Sequence, residues 1–313
     1  MRSWRAAVNL RLRSGAATAT PQICDESGYA PARMARGNLT SRIVETEPRV
    51  RRGYFECRYG QLHVHNAIPP GGGFEEGTSL LCLHKSPLSG RVFERFLSVA
   101  GRDRSVYAPD TPGCGESDPP LSRPAICDYA GAIGDFLDSM RFRQIDVLGQ
   151  QSGALIAAEL AIARPNQIRR VILVSVPVPG EAEKAAFRRS PWPLPPVEDG
   201  SHLAPEWQRS REAIGAGAPV EAVAGAFAEK VRNGTGGGWA VAATVQYPAR
   251  ERLSLITQPT LVLRPKDEWW ESSQRAREAL PRARFVDLPE QGPGLFELAP
   301  EAAAEAIKEF IRG

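Results

Sequence analysis

The residues best suited to chemistry lie in VLGQQSGALIAAELA, residues 147–161, where Gly149-Gln150-Gln151-Ser152-Gly153 joins an apolar run to a helical one. A strand that enters a helix through glycine, any residue, a nucleophile, any residue and glycine holds the middle side chain on a sharp, strained turn, and the small flanking residues let the backbone pass. Here the middle residue is Gln151. A carboxamide oxygen is a poor nucleophile and its nitrogen lone pair is delocalised, so neither atom forms an acyl intermediate at a useful rate. A register shifted by one would expose Ser152, but Gln150 and Ala154 would then occupy the small positions, and Gln150 would crowd the turn. In the unshifted register Ser152 offers its backbone amide, rather than its hydroxyl, to a developing negative charge.

A nucleophile of this kind needs an imidazole to take its proton and a carboxylate to hold the imidazole's tautomer. The chain offers four histidines, His63, His65, His84 and His202. His63 and His65 alternate on one face of an early strand and read as sheet residues, and His202 sits in an irregular, proline-rich region. His84 ends the apolar run SLLCLH, whose loop is expected at the same mouth of the sheet as residues 150–153. Asp267 follows the run PTLVLR; it is a candidate to bind a ligand hydroxyl or amine, or to pair with Lys85 or Arg264. Cys114, in a Pro-Gly-Cys-Gly turn with no adjacent base, reads as a packed small residue. The five cysteines are odd in number and never two residues apart, so neither a disulfide scaffold nor a zinc site is expected. No metal and no cofactor is called for.

The elements that would position these groups follow from the hydrophobic pattern. From about residue 53, short β-rich runs alternate with helical segments. YFECRYG and QLHVHNAI form a hairpin turning at Tyr59-Gly60. The loop PPGGGFEEGT leads into SLLCLH; SVYAPD, QIDVLG, RRVILVSV, PTLVLR and ARFVDLP follow, separated by helices such as YAGAIGDFLDSM and PEAAAEAIKEFI. Near-continuous apolar strands belong to a mostly parallel, doubly wound sheet covered on both faces, hence an α/β fold. Residues 177–247 break the rhythm: proline-dense VPVPGEAEKAAFRRSPWPLPPVEDGSH precedes helical APEWQRSREAIGAG and PVEAVAGAFAEKV, with NGTGGGW as closing punctuation. This stretch is expected to be an inserted helical cap, with Trp192, Trp207 and Trp239 as candidate pocket linings. The core is then 51–176 and 248–313.

Residues 1–53 hold ten arginines against four acids, a charge of +6 within a net +3, so the remainder is acidic. Residues 1–50 read as a disordered basic leader, or alternatively as an organellar transit peptide or an over-extended start. Without interleaved aromatics, and with an acidic body, no nucleic-acid partner is expected. No apolar run reaches membrane-spanning length, so no membrane partner is expected and a cytoplasmic location fits the reduced cysteines. The excess of arginine over lysine is that of a GC-rich bacterial source. A small molecule is the expected partner; the oligomeric state is open.

The pattern around Gln151 resembles the α/β-hydrolase family over about residues 53–313. LLCLHKSP resembles the family's strand and oxyanion loop, with Lys85 where glycine is usual, which implies a pocket formed by the amides of Ser86 and Ser152. APDTPGCGESD is similar to the Asp-x-Pro-Gly-x-Gly-x-Ser turn, PTLVLRPKDEWW to the strand before the acid, which maps onto Asp267, and LPEQGPGLFELAPEAAAEAIKEFI to the histidine loop and last helix. Where the family has Gly-His before that helix, this chain has Gly292-Pro293. The resemblance implies a serine hydrolase scaffold with its nucleophile and base replaced. Three readings remain open. One is a small-molecule-binding or catalytically altered member; another is a lyase, cyclase or decarboxylase in which the two amides, Gln150 and Gln151 position a substrate while Asp267 or His84 moves protons. The third is an ester or lactone hydrolase using Ser152.

Overall fold

The computed structural model describes residues 47–70, 77–189, 194, 196–215 and 217–312. The basic leader through residue 46, most of the glycine loop at 71–76, and Trp192 lie outside the described residues. Eight strands form one sheet: β1 (Val50–Cys57), β2 (Gly60–Ala67), β3 (Leu80–Leu83), β4 (Val106–Pro109), β5 (Ile145–Gln150), β6 (Ile168–Val174), β7 (Thr260–Pro265) and β8 (Arg284–Leu288). Their order is β1-β2-β4-β3-β5-β6-β7-β8. β1 and β2 pair as a hairpin, β2 runs antiparallel to β4, and the strands from β4 onward are parallel.

In chain order the helices are α1 (Glu94–Ala100), α2 (Ile126–Ser139), α3 (Ser152–Ala163), α4 (Glu181–Arg189), α5 (Leu203–Ile214), α6 (Val220–Asn233) and α7 (Gly237–Gln246). After them come α8 (Ala249–Leu253), α9 (Trp270–Gln274), α10 (Ala276–Ala279), α11 (Leu295–Leu298) and α12 (Pro300–Arg312). Two apolar clusters cover the two faces of the sheet. One packs α2, α3 and residues of α7 and α8 against Leu81, Val147 and Leu173; the other packs α1, α11 and α12 against Cys82, Leu148 and Ile172. The alternation within β5 supplies both, Val147 to one face and Leu148 to the other, which is why such strands read as continuous apolar runs. α12 shows the opposite pattern, burying Ala303, Ile307 and Ile311 at a spacing of four and leaving its other face to solvent.

Two local expectations are corrected. EAEKAAFRR, within the proline-dense stretch, is α4: its glutamates at the N-terminus and arginines at the C-terminus complement the helix dipole. NGTGGGW is not terminal punctuation, because a short 3₁₀ turn at Gly234–Gly236 runs into α7, which begins on Gly237. Tertiary packing of Ala240, Ala243 and Val245 there outweighs the poor helix propensity of the glycines. Five α-helices, α4 to α8, thus lie between β6 and β7 among the described residues, and the first four of them fall within residues 177–247. Among the described residues, no helix is long and apolar enough to cross a membrane.

Candidate functional site

β5 lies at the centre of the sheet, and the chain leaves its C-terminal end through one strained residue. Gln151 has φ 51° and ψ −115°, and Ser152 is already the first residue of α3. Such a conformation in a non-glycine residue costs about 1–3 kcal/mol and persists only where the surroundings enforce it. The flanking glycines show how. A Cβ on Gly149 would lie 2.1 Å from the Gly153 carbonyl oxygen, and a Cβ on Gly153 would lie 2.1 Å from that of Leu83. β5, β3 and the first turn of α3 therefore approach backbone to backbone, and the register with Gln151 at the apex is the one adopted.

Three loops from the same edge of the sheet meet the apex. From the loop after β7, Glu268 accepts a hydrogen bond at Oε1 from Gln151 Nε2 at 2.9 Å. From the loop after β8, the Pro293 carbonyl accepts from Lys85 Nζ at 2.9 Å and lies 3.5 Å from Gln150 Nε2. From the loop after β3, the Ser86 amide donates to Ser152 Oγ at 2.8 Å, while Ser152 Oγ lies 3.1 Å from Ser86 Oγ. The Ser86 amide is therefore already hydrogen-bonded, by the Ser152 side chain.

His84 is wholly buried and committed at both nitrogens. Its Nε2 accepts from the Thr111 amide at 2.9 Å, which leaves the proton on Nδ1, 3.0 Å from the Lys85 carbonyl. Burial pushes its pKa down, against the Lys85 hydrogen bond and the charges of Asp110 and Glu229. His63 and His65 lie beneath the turn that begins at Asp110. His63 Nδ1 is 2.8 Å from Asp110 Oδ2, whose carboxylate also accepts from the Gly90 and Glu116 amides. His63, His65 and Asp110 form a compact buried group, and the two Asp110 oxygens each accept from a backbone amide. His202 accepts at Nδ1 from the Val197 amide at 3.3 Å. Burial raises the Cys114 thiol to about 12, so it is a packed, protonated side chain.

Asp267 pairs with neither residue suggested by its surroundings in sequence. Arg264 is taken by Asp287 at 2.7 Å, and Lys85 lies 3.4 Å from Glu297. Asp267 Oδ1 accepts from the Trp269 amide at 2.9 Å, whereas Oδ2 is buried. Burial, followed by the charge of Glu268, pushes its pKa up to about 6, against the Ser175 hydroxyl, the Trp269 amide and Lys85.

Above the apex is a cavity of about 390 Å³. Gln151, Ser152, Lys85 and Ser86 form its floor; Glu268 and Trp269 close one side, and residues of α4 to α7, among them Phe187, Arg209, Lys230 and Val245, form the rest. No histidine is among the residues lining it. Among the described residues the tryptophan lining it is Trp269, stacked on Phe187 with ring centroids 5.1 Å apart. Trp207 packs edge-on against Phe227, and Trp239 lines a separate cavity with Arg123 and Tyr247. Glu268 and Lys230 were not among the residues singled out from sequence. Lys230 carried a signal: it falls seven residues after Val223, on the buried face of α6.

A family model described as the alpha/beta hydrolase family matches residues 70–306. The chain is 32% identical over 83 residues to the dihydrolipoyllysine-residue acetyltransferase component of the acetoin cleaving system of Cupriavidus necator, covering 26% of this chain and 22% of that one. It is 23% identical over 145 residues to the proline iminopeptidase of Heyndrickxia coagulans, covering 44% and 49%. The chain therefore spans less than half the length of either curated relative. The enol-lactonase of Burkholderia xenovorans superposes with a TM-score of 0.69 at 16% identity, over 83% of this chain and 100% of that one, a likeness of fold.

Proposed function

The chain belongs to the alpha/beta hydrolase family, and from that premise we propose that it is a member without a working Ser-His-Asp triad, whose cavity binds a small molecule. The observation that carries this is the occupancy of the apex. Gln151 stands at the strained position and is held by Glu268 at 2.9 Å, while the loop that would bring an imidazole supplies the Pro293 carbonyl instead. Neither a carboxamide nor a peptide carbonyl forms an acyl intermediate. The nearest hydroxyl, that of Ser152, is 4% exposed in its residue and is engaged with Ser86. On this reading α4 to α7 act as a cap over the ligand, and Gln150, Gln151, Ser86 and Lys85 are binding groups.

A second reading, lyase, cyclase or decarboxylase chemistry without a serine nucleophile, is favoured by one feature. Asp267 has a buried Oδ2 and a pKa raised to about 6 by burial and the charge of Glu268, so it is suited to exchange a proton near neutrality. Two measurements test both readings. A fluorophosphonate probe is expected to leave the protein unlabelled; labelling that disappears in Ser152→Ala would install Ser152 as a nucleophile instead. Thermal scanning against esters, lactones and aromatic metabolites is expected to find ligands that raise the melting temperature. A flat response across the panel would remove the binding role.

A further inference from the structure

Lys230 is a buried ammonium for which neither reading has a task. It lies on α6, is 2% exposed, and lines the cavity above Gln151 with a side chain whose Nζ is itself buried. Long lysine side chains usually carry the charge outward to water; here Nζ lies 3.5 Å from Glu206 Oε1, on a carboxylate that is also 2% exposed. The other oxygen of Glu206 accepts from the Leu194 amide at 3.3 Å, which orients Oε1 toward the lysine. Lys85 and Arg209 line the same cavity. Burial, with smaller contributions from those two cations, pushes the Lys230 pKa down to about 8 against the attraction of Glu206. Desolvation and neighbouring cations are the means by which a lysine becomes an amine nucleophile.

We propose that Lys230 is the nucleophile of this cavity and forms an imine with an aldehyde or ketone ligand, chemistry that needs neither a serine nor a histidine. The proposal rests on the cavity being a ligand site. Glu206 accepts a proton from the ammonium, and the freed Nζ lone pair adds to the carbonyl carbon while the C=O π pair moves to oxygen. Transfer of a proton from the positively charged nitrogen to that oxygen gives a neutral carbinolamine. The nitrogen lone pair then closes the C=N bond as the C–O bond breaks, and the oxygen leaves as water with the proton that Glu206 returns. Ammonium and carbonyl become protonated imine and water, with no oxidant or reductant required. The walls select for an aromatic or apolar carbonyl compound: Leu88, Val241 and Val245 are apolar, and the stacked Phe187 and Trp269 offer a flat surface.

The test is reductive trapping of the full chain with benzaldehyde and cyanoborohydride, followed by peptide mapping. Labelling is expected to concentrate on Lys230, more than about tenfold ahead of the exposed Lys266 and Lys308, and to vanish from that peptide in Lys230→Arg. Because the wild-type map is decisive by itself, the outcome does not depend on the variant folding. Equal labelling of all lysines, or a preference for Lys85, overturns the proposal. Thermal shifts with benzyl alcohol, which has the same ring and no carbonyl, separate the two levels. A shift without Lys230 labelling ends the imine chemistry and leaves the ligand site standing; no shift with any aromatic alcohol, ester or lactone, together with no labelling, ends both.

Discussion

The carboxamide of Gln151 donates to Glu268 Oε1 at 2.9 Å, tying the strained residue after β5 to the loop after β7. That loop also carries Asp267, one residue from the carboxylate that holds the apex. The Pro293 carbonyl reaches Lys85 at 2.9 Å on the other side. The loops after β3, β7 and β8 thus converge at the end of β5.

This convergence predicts that a triad can be restored. Gln151→Ser together with Pro293→His is expected to hydrolyse p-nitrophenyl acetate about a hundredfold faster than the wild type, the usual scale of a positioned general base. It is also expected to acquire fluorophosphonate labelling. Gln151→Ser alone lacks a base and is expected to stay near the wild-type rate. A double variant no faster than the wild type would show that residues 151 and 293 do not face each other across the site.

Ser152 limits that restored activity. Its Oγ accepts from the Ser86 amide at 2.8 Å, so the donor that would stabilise a tetrahedral oxyanion is already satisfied. Adding Ser152→Ala to the restored double should release the amide. A single oxyanion donor is worth about 10²–10³ in rate, and at least about a tenfold gain is expected here. A loss of rate would mean that Ser152 assists the site rather than filling it. In the wild-type background the same substitution leaves one donor without its partner and is expected to lower stability by about 1 kcal/mol, measured by denaturant titration.

Much of this arrangement was legible in sequence because it depends on local rules. The alternation of apolar strands with helices gave the doubly wound sheet, and the glycine spacing at 149 and 153 placed Gln151 rather than Ser152 at the apex. Contacts made across long stretches of chain left weaker marks. Glu268 was one acid beside another until folding brought it to a residue 117 positions earlier, and Trp269 supplies the cavity tryptophan sought in the helical insertion. The proton position on His84 follows from the Thr111 amide, which no spacing rule identifies. α4 and the start of α7 were hidden for a different reason: their proline and glycine context reads as loop, and packing decides otherwise.

The apex itself is predicted to tolerate no Cβ at either flanking position. Gly149→Ala and Gly153→Ala each place a methyl group 2.1 Å from a backbone carbonyl oxygen. Neither carbonyl is the end of a flexible side chain, so relief requires β5, β3 or α3 to move. Each variant is expected to lose more than about 3 kcal/mol, in the range reached by overpacked cores. Gly292→Ala, whose Cβ would meet nothing within 4 Å, serves as the control and is expected to stay within about 0.5 kcal/mol of the wild type. Comparable losses at all three positions would remove the backbone-approach explanation.

The pH dependence of stability is predicted to be the sum of two opposed slopes. Asp267 has a pKa raised from 3.8 to about 6, chiefly by burial, so between those values the folded state holds more protons than the unfolded one. Its contribution is present in acid, falls as pH rises through this window, and is absent above it. His65 is lowered from 6.5 to about 4, also by burial first, so there the folded state holds fewer protons. That contribution is full above pH 6.5 and is lost as pH falls toward 4, and the downward shift of His84 acts in the same direction. At about 1.4 kcal/mol per unit, Asp267 and His65 each account for up to about 3 kcal/mol and oppose each other across the same interval. Asp267→Asn removes one slope and leaves the other. The variant is expected to be more stable than the wild type at pH 7, by up to about 3 kcal/mol, and to lose that advantage by pH 4. Urea midpoints at the two pH values measure this, and an advantage of the same size at both would show that Asp267 is not protonated more readily in the folded chain.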